Sequence, residues 1–169
     1  MQQKIKRFYK QAAAAPVAEG FTVELDGRGV RTPAKAALVV PSQALAAAIA
    51  AEWQGQGEEV DPQALALNNL VCTAIDIVAP HRPAIVEELA DYGGHDLLCY
   101  WTDETGELLR RQQQHWQPLL DWAAAELRAP LQKTCGITPQ AQTPESLEAL
   151  KLAVEEHGDL ELTGLAAAV

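Results

Sequence analysis

The sequence predicts an α+β protein. A small N-terminal domain with antiparallel strands occupies residues 1–67, and a mainly helical, orthogonal bundle-like domain occupies 68–169. Three observations carry the prediction. Between residues 20 and 41, short apolar runs alternate with turn residues and prolines. After Pro41 the apolar spacing lengthens to that of a helix. Hydrophobic residues make up 48% of the 169 positions, enough for a packed interior.

In chain order, Ile5, Phe8 and Tyr9 fit a helix or a strand equally well. The alanine run Ala12–Ala15 favours helix by propensity. Phe21-Thr22-Val23-Glu24-Leu25 alternates, which puts Phe21, Val23 and Leu25 on one face of a strand. Asp26-Gly27 is a hairpin signal, because a tight primed turn needs positive φ. Val30-Arg31-Thr32 is the expected return strand, ended by Pro33, and Leu38-Val39-Val40 is another short strand. Ser42 then caps a helix that Gly55 stops, with Leu45, Ile49 and Trp53 on one stripe.

Further helices are expected at about 68–78, closed by Pro80, and at about 82–93, ended by Gly93-Gly94. Asp96–Trp101 is apolar and short, and fits either strand or helix. The period over 104–128 is helical, with a kink or break expected near Trp116 because Pro118 lies inside it. Leu131–Thr134 is a further candidate strand, and Thr143-Pro144 opens a helix running to His157. Thr163–Val169 reads as the first turn of another helix without a stop signal, so more chain is expected beyond it.

Charge narrows the function. Lys and Arg number 13 and Asp and Glu 23, a net charge of −10, which disfavours nucleic acid and anionic membrane surfaces and suits a basic protein partner. No apolar run reaches the length of a membrane span, and no apolar stretch follows the charged N-terminus as in a secretory signal. The three cysteines are far apart, and the four histidines lack metal-ligand spacing, so no metal site is expected. No phosphate-binding glycine loop is present, which argues against nucleotide binding. Cys99 lies four residues from His95, the one pairing compatible with a thiol-dependent hydrolase, although a buried thiol is the simpler role for Cys99.

Several stretches together resemble a known family. They are Lys6-Arg7-Phe8-Tyr9-Lys10, Val23–Arg28, Arg31–Lys35, Ala51-Glu52-Trp53, Asn69-Leu70 with Thr73–Asp76, Asp96–Tyr100, and Gln113–Trp116 with Pro118, Leu119 and Trp122. In order and spacing they are similar to the assembly chaperones of the F-type ATP synthase, in the branch that handles the alpha subunit. Gln54 and Gln117 stand where that pattern has acids, and Gly93-Gly94 replaces a more helical segment.

The resemblance implies an N-terminal α+β domain, a C-terminal helical domain, and an acidic segment beyond Val169. It implies a chaperone rather than an enzyme, with no cofactor. Its partner would be the free alpha subunit, shielded from aggregation until the beta subunit displaces the chaperone. A bacterial cytoplasm is the implied setting, and the mitochondrial matrix for eukaryotic relatives. The partner-binding candidates in the matching stretches are Glu52, Trp53, Asp96, Tyr100 and Trp101. A generic interaction domain with another client is the alternative, and the thiol hydrolase a more distant one.

Overall fold

The computed structural model describes residues 5–168. Its contacts divide the chain into two units, Met1–His81 with Asp159–Gly164, and Arg82–Gly158 with Leu165–Val169. The expected 67/68 boundary falls inside the first unit. Val71 and Cys72 belong to that unit's core cluster, with Val23, Leu38 and Ile49, so packing continues past residue 67.

The first unit begins with β1 (Ile5–Lys6), β2 (Ala12–Val17), β3 (Gly20–Leu25), β4 (Arg28–Gly29) and β5 (Val39–Val40). The larger sheet is antiparallel, in the order β2-β3-β4, with β5 also paired to β3. The Asp26-Gly27 turn forms as expected, with φ of 50° and 79°, and joins Leu25 directly to its partner Arg28. The Asp26 carboxylate also accepts from the Lys10 and Gln11 amides, at 3.0 and 2.9 Å, tying the turn to the chain entering β2.

The alanine run is a strand, not a helix. Ala12–Val17 pairs with β3 from Ala12↔Leu25 to Val17↔Gly20. Alanine's helix advantage is a fraction of a kcal/mol per residue, and four residues before Pro16 are too few to nucleate a helix. The return strand pairs at Arg28–Gly29 rather than Val30–Thr32. Val30 still donates to the Val23 carbonyl at 2.8 Å, after which the chain turns at Thr32–Lys35.

Ser42 caps α1 (Gln43–Gln54), its Oγ accepting from the Leu45 amide at 3.2 Å, and Gly55 follows the last turn. β6 (Glu59–Val60) runs antiparallel to β1. α2 (Ala66–Thr73) passes into a single π-turn at Ala74–Val78 and then into α3 (Ala79–Asp91). Pro80 does not close a helix. The path kinks at His81, whose φ of −116° and ψ of 15° are not helical, and Pro83 then sits in the first turn beyond the kink. In the π-turn, the Asp76 carboxylate accepts from Thr32 Oγ1 at 2.7 Å and from the Ala34 amide at 2.9 Å. Val23, Leu38, Ile49 and Ala46 are fully buried between sheet and helices.

In the second unit, Asp96–Trp101 resolves into a 3₁₀ turn at Leu97–Cys99 and β7 (Tyr100–Trp101). The expected long helix is α4 (Glu107–His115) and α5 (Gln117–Glu126), broken at Trp116 with Pro118 in the opening turn of α5. β8 (Thr134–Cys135) is parallel to β7 and lies later than the expected 131–134. Thr143 caps α6 (Pro144–Glu155), its Oγ1 accepting from the Ser146 amide at 3.2 Å. α7 (Asp159–Ala168), whose residues Asp159–Gly164 belong to the first unit, starts four residues before the expected Thr163. Cys99, Trp101 and Leu120 form the buried centre, flanked by Leu109, Trp116 and Leu131.

Candidate functional site

The structure assigns the five sequence candidates local bonding partners. Leu65, at the cap position before α2, offers no side-chain cap. Glu52 supplies one from α1: its carboxylate accepts from the amides of Leu67, at 2.8 Å, and Asn68, at 3.0 Å. A carboxylate suits this position because helix N-termini present unpaired N–H groups and a positive dipole end. Trp53 is half-buried, and its indole donates to Asn68 Oδ1 at 3.0 Å. Its carbonyl accepts from the Tyr9 hydroxyl at 2.6 Å, and the two rings meet edge to face at 5.7 Å. Burial raises the Tyr9 phenol above its ordinary value, and the Arg7 guanidinium over the ring opposes this.

Asp96 caps the turn before β7, its Oδ1 accepting from the Leu98 amide at 2.7 Å. Trp101 is buried, its indole donating to the Leu98 carbonyl at 2.8 Å, with Trp116 edge-on at 6.4 Å and the Lys133 ammonium 4.2 Å from the ring centre. Tyr100 is half-buried, and its carbonyl accepts from the amide of buried Gln112 at 3.4 Å. Thus Glu52 and Trp53 meet at Asn68 in the first unit. Asp96, Tyr100 and Trp101 lie along one short segment of the second.

Cys99 is buried, and burial together with the nearby Asp96 carboxylate pushes its thiol pKa up. A nucleophilic cysteine needs the opposite shift. Among the described residues no group of three or more His, Cys, Asp and Glu could hold a metal ion, and no helix is long and apolar enough to cross a membrane.

The surface best suited to gripping a protein lies elsewhere in the second unit. A shallow groove of about 320 Å³ is lined by Leu89, Tyr92, Leu119, Trp122, Leu131 and Leu150, among others. Trp122 is 54% exposed, and Leu119 and Tyr92 each 50%. Large apolar side chains clustered in the open mark interaction sites more often than accidents of packing. Asp96 lines the same groove, and Tyr92 also borders a second hollow with Glu88, Asp91 and His95. The arrangement is an apolar trough with acidic neighbours.

Of the nominated residues, only Asp96 touches this groove. The available signal was Leu119 and Trp122, three apart on a helix and so on one face. Which face points inward is decided by α5 burying Leu120 and Ala123 instead.

Comparisons with known proteins agree with this architecture. Residues 6–124 match the family model described as ATP12 chaperone protein. The mitochondrial protein atp12 of Schizosaccharomyces pombe is 28% identical over 162 residues, 89% of this chain. The chain spans 56% of that relative's length. The crystal structure of Atp12 from Paracoccus denitrificans superposes with a TM-score of 0.89 at 43% identity, covering 94% of this chain and 68% of the other. A point mutant of the same Paracoccus protein gives a TM-score of 0.90 with the same identity and coverage. The chaperone family resemblance read from the scattered motifs therefore holds across sequence and fold alike, and the chain belongs to the ATP12 chaperone protein family.

Proposed function

We propose that this protein is an assembly chaperone of the F-type ATP synthase, acting in a bacterial cytoplasm. It holds the free alpha subunit of the catalytic sector until the beta subunit takes its place. The observation that carries this reading is the family match over residues 6–124.

The physical task fits the groove in the second unit. An unassembled ring subunit exposes the apolar face that its neighbour later covers, and such a face aggregates. Trp122, Tyr92 and Leu119 offer a large, exposed apolar counter-surface. Glu88, Asp91 and Asp96 add negative charge around it, which accelerates encounter with a basic client and weakens with salt. Modest exposed area favours release when the true partner arrives with a larger complementary face. Glu52, Trp53 and Trp101 contribute by keeping their units folded, and Asp96 both shapes its turn and borders the groove.

The test uses purified alpha subunit. Mixing it with this protein at low salt should give a complex on gel filtration and suppress light scattering by the free subunit. Adding beta subunit should dissolve the complex. No complex at any low salt concentration would refute the reading, and capture of beta subunit alone would reassign the partner.

A further inference from the structure

Charge in this chain is segregated. Residues 1–40 hold seven of the 13 Lys and Arg but three of the 23 Asp and Glu, a net of +4, against −14 for the remainder. Within the first unit, a groove of about 640 Å³ opens beside the edge strand β4. Its walls include Phe8, Tyr9, Trp53, Leu25, Arg28 and Arg31. Phe8 is 69% exposed and stands edge-on to Tyr9 at 5.3 Å.

The cations at this groove are not equivalent. Arg7, next to it, is committed to the fold: its guanidinium donates to the carbonyls of Tyr9, Gln56 and Lys10 at 3.1, 2.5 and 3.2 Å. Arg28 is exposed, and its side chain has no hydrogen bond or ion pair among the described residues. Arg31 places one nitrogen on the Lys35 carbonyl at 2.8 Å and keeps the rest of its fork. Asp26 also lines the groove, but its carboxylate accepts from the Lys10 and Gln11 amides. The pocket therefore combines one exposed aromatic ring, Phe8, with unspent guanidinium donors.

We propose that this groove binds an acidic peptide segment bearing an aromatic or long aliphatic side chain, which seats between Phe8 and Trp53 while Arg28 and Arg31 pair with its carboxylates. Guanidinium forks match carboxylates bidentately, and stacked aromatics supply the apolar share. A long nucleic acid is the poorer occupant, because its phosphates would extend over a chain carrying −14 outside the first 40 residues. A short acidic peptide need reach no further than the groove that Arg28 and Arg31 line.

The test measures anisotropy of a fluorescein-labelled short poly-Glu peptide with one central Phe, titrated with the full chain at low salt. Binding should weaken as salt rises. Arg28→Glu should weaken it roughly ten-fold, as loss and reversal of a charge partner does, and Phe8→Ala should weaken it as well. Arg110→Glu, in the second unit, should leave it unchanged. Circular dichroism melts would show whether each variant is folded; should Phe8→Ala unfold, Arg28→Glu still decides, because the Arg28 side chain holds no partner to lose. The proposal is overturned if the peptide does not bind, if Arg28→Glu binds it undiminished, or if a Gln-substituted peptide or short oligothymidylate binds as tightly. Peptide binding is read without the alpha subunit, so its failure and the failure of alpha-subunit capture are separate results.

Discussion

The main-chain amide of Asn68 donates to the Glu52 carboxylate at 3.0 Å, which fastens the start of α2 to the last turn of α1. The next residue, Trp53, takes the Asn68 side chain, so consecutive positions on α1 hold both ends of one buried asparagine. Glu52→Ala should cost about 1–2 kcal/mol, the usual worth of a helix cap. Urea unfolding measures it, and alpha-subunit capture by the folded fraction should be unaffected. A loss of capture at full stability would make Glu52 a contact residue instead.

The tryptophans should separate by role. Trp101→Ala removes a buried ring and its hydrogen bond, and should destabilise by about 3–5 kcal/mol. Trp122→Ala removes an exposed ring, and should change the urea midpoint little while weakening the alpha-subunit complex at least several-fold. A Trp122→Ala variant that captures the subunit normally would remove the groove from the proposed interface.

Gly20 adopts a φ of +143°, and a Cβ there would lie 2.5 Å from the Val40 carbonyl oxygen. Backbone cannot step aside as a flexible side chain does, so Gly20→Ala should destabilise by roughly 2 kcal/mol or more. Thermal melting monitored by circular dichroism would show it.

Hydrogen bonds from the Gln11 and Lys10 amides hold the Asp26 carboxyl below its ordinary pKa. A folded-state pKa below the unfolded one means stability that is present above about pH 4 and is lost as pH falls through the lowered value. Asp26→Asn should therefore be less stable than the native chain near neutrality, and the difference should close in acid. Urea midpoints for both proteins across that range test it; a constant difference would mean the amides gain nothing from the charge.

Thiol labelling gives a further check. Cys135 is exposed, whereas Cys72 and Cys99 are buried with thiols raised by burial and by the nearby Asp76 and Asp96 carboxylates respectively. Near neutral pH a disulfide reagent should modify Cys135 quickly and the other two only on unfolding. Rapid labelling of Cys99 in the folded protein would revive the thiol-enzyme alternative.

Local chemistry was the readable part of this molecule. The Asp26-Gly27 turn, the Ser42 and Thr143 caps and the break before Pro118 each depend on residues within one turn of one another. What escaped depends on distant partners. Ala12–Val17 is a strand because β3 is there to receive it, and Glu52 is a cap because α2 ends up beside it. The groove was hidden for the same reason: Leu119, Leu120 and Trp122 look alike in the sequence, and only packing selects Leu120 for the interior.

The π-turn at Ala74–Val78 holds one residue more than a regular turn would, and Asp76 reaches Thr32 and Ala34 from within it. Deleting one residue there would give a more regular helix with better local geometry, yet rotate the carboxylate by about 100° away from the loop it holds. Loss of a residue ahead of Asp76 is thus costly to the chain, although the helix taken by itself would gain from it.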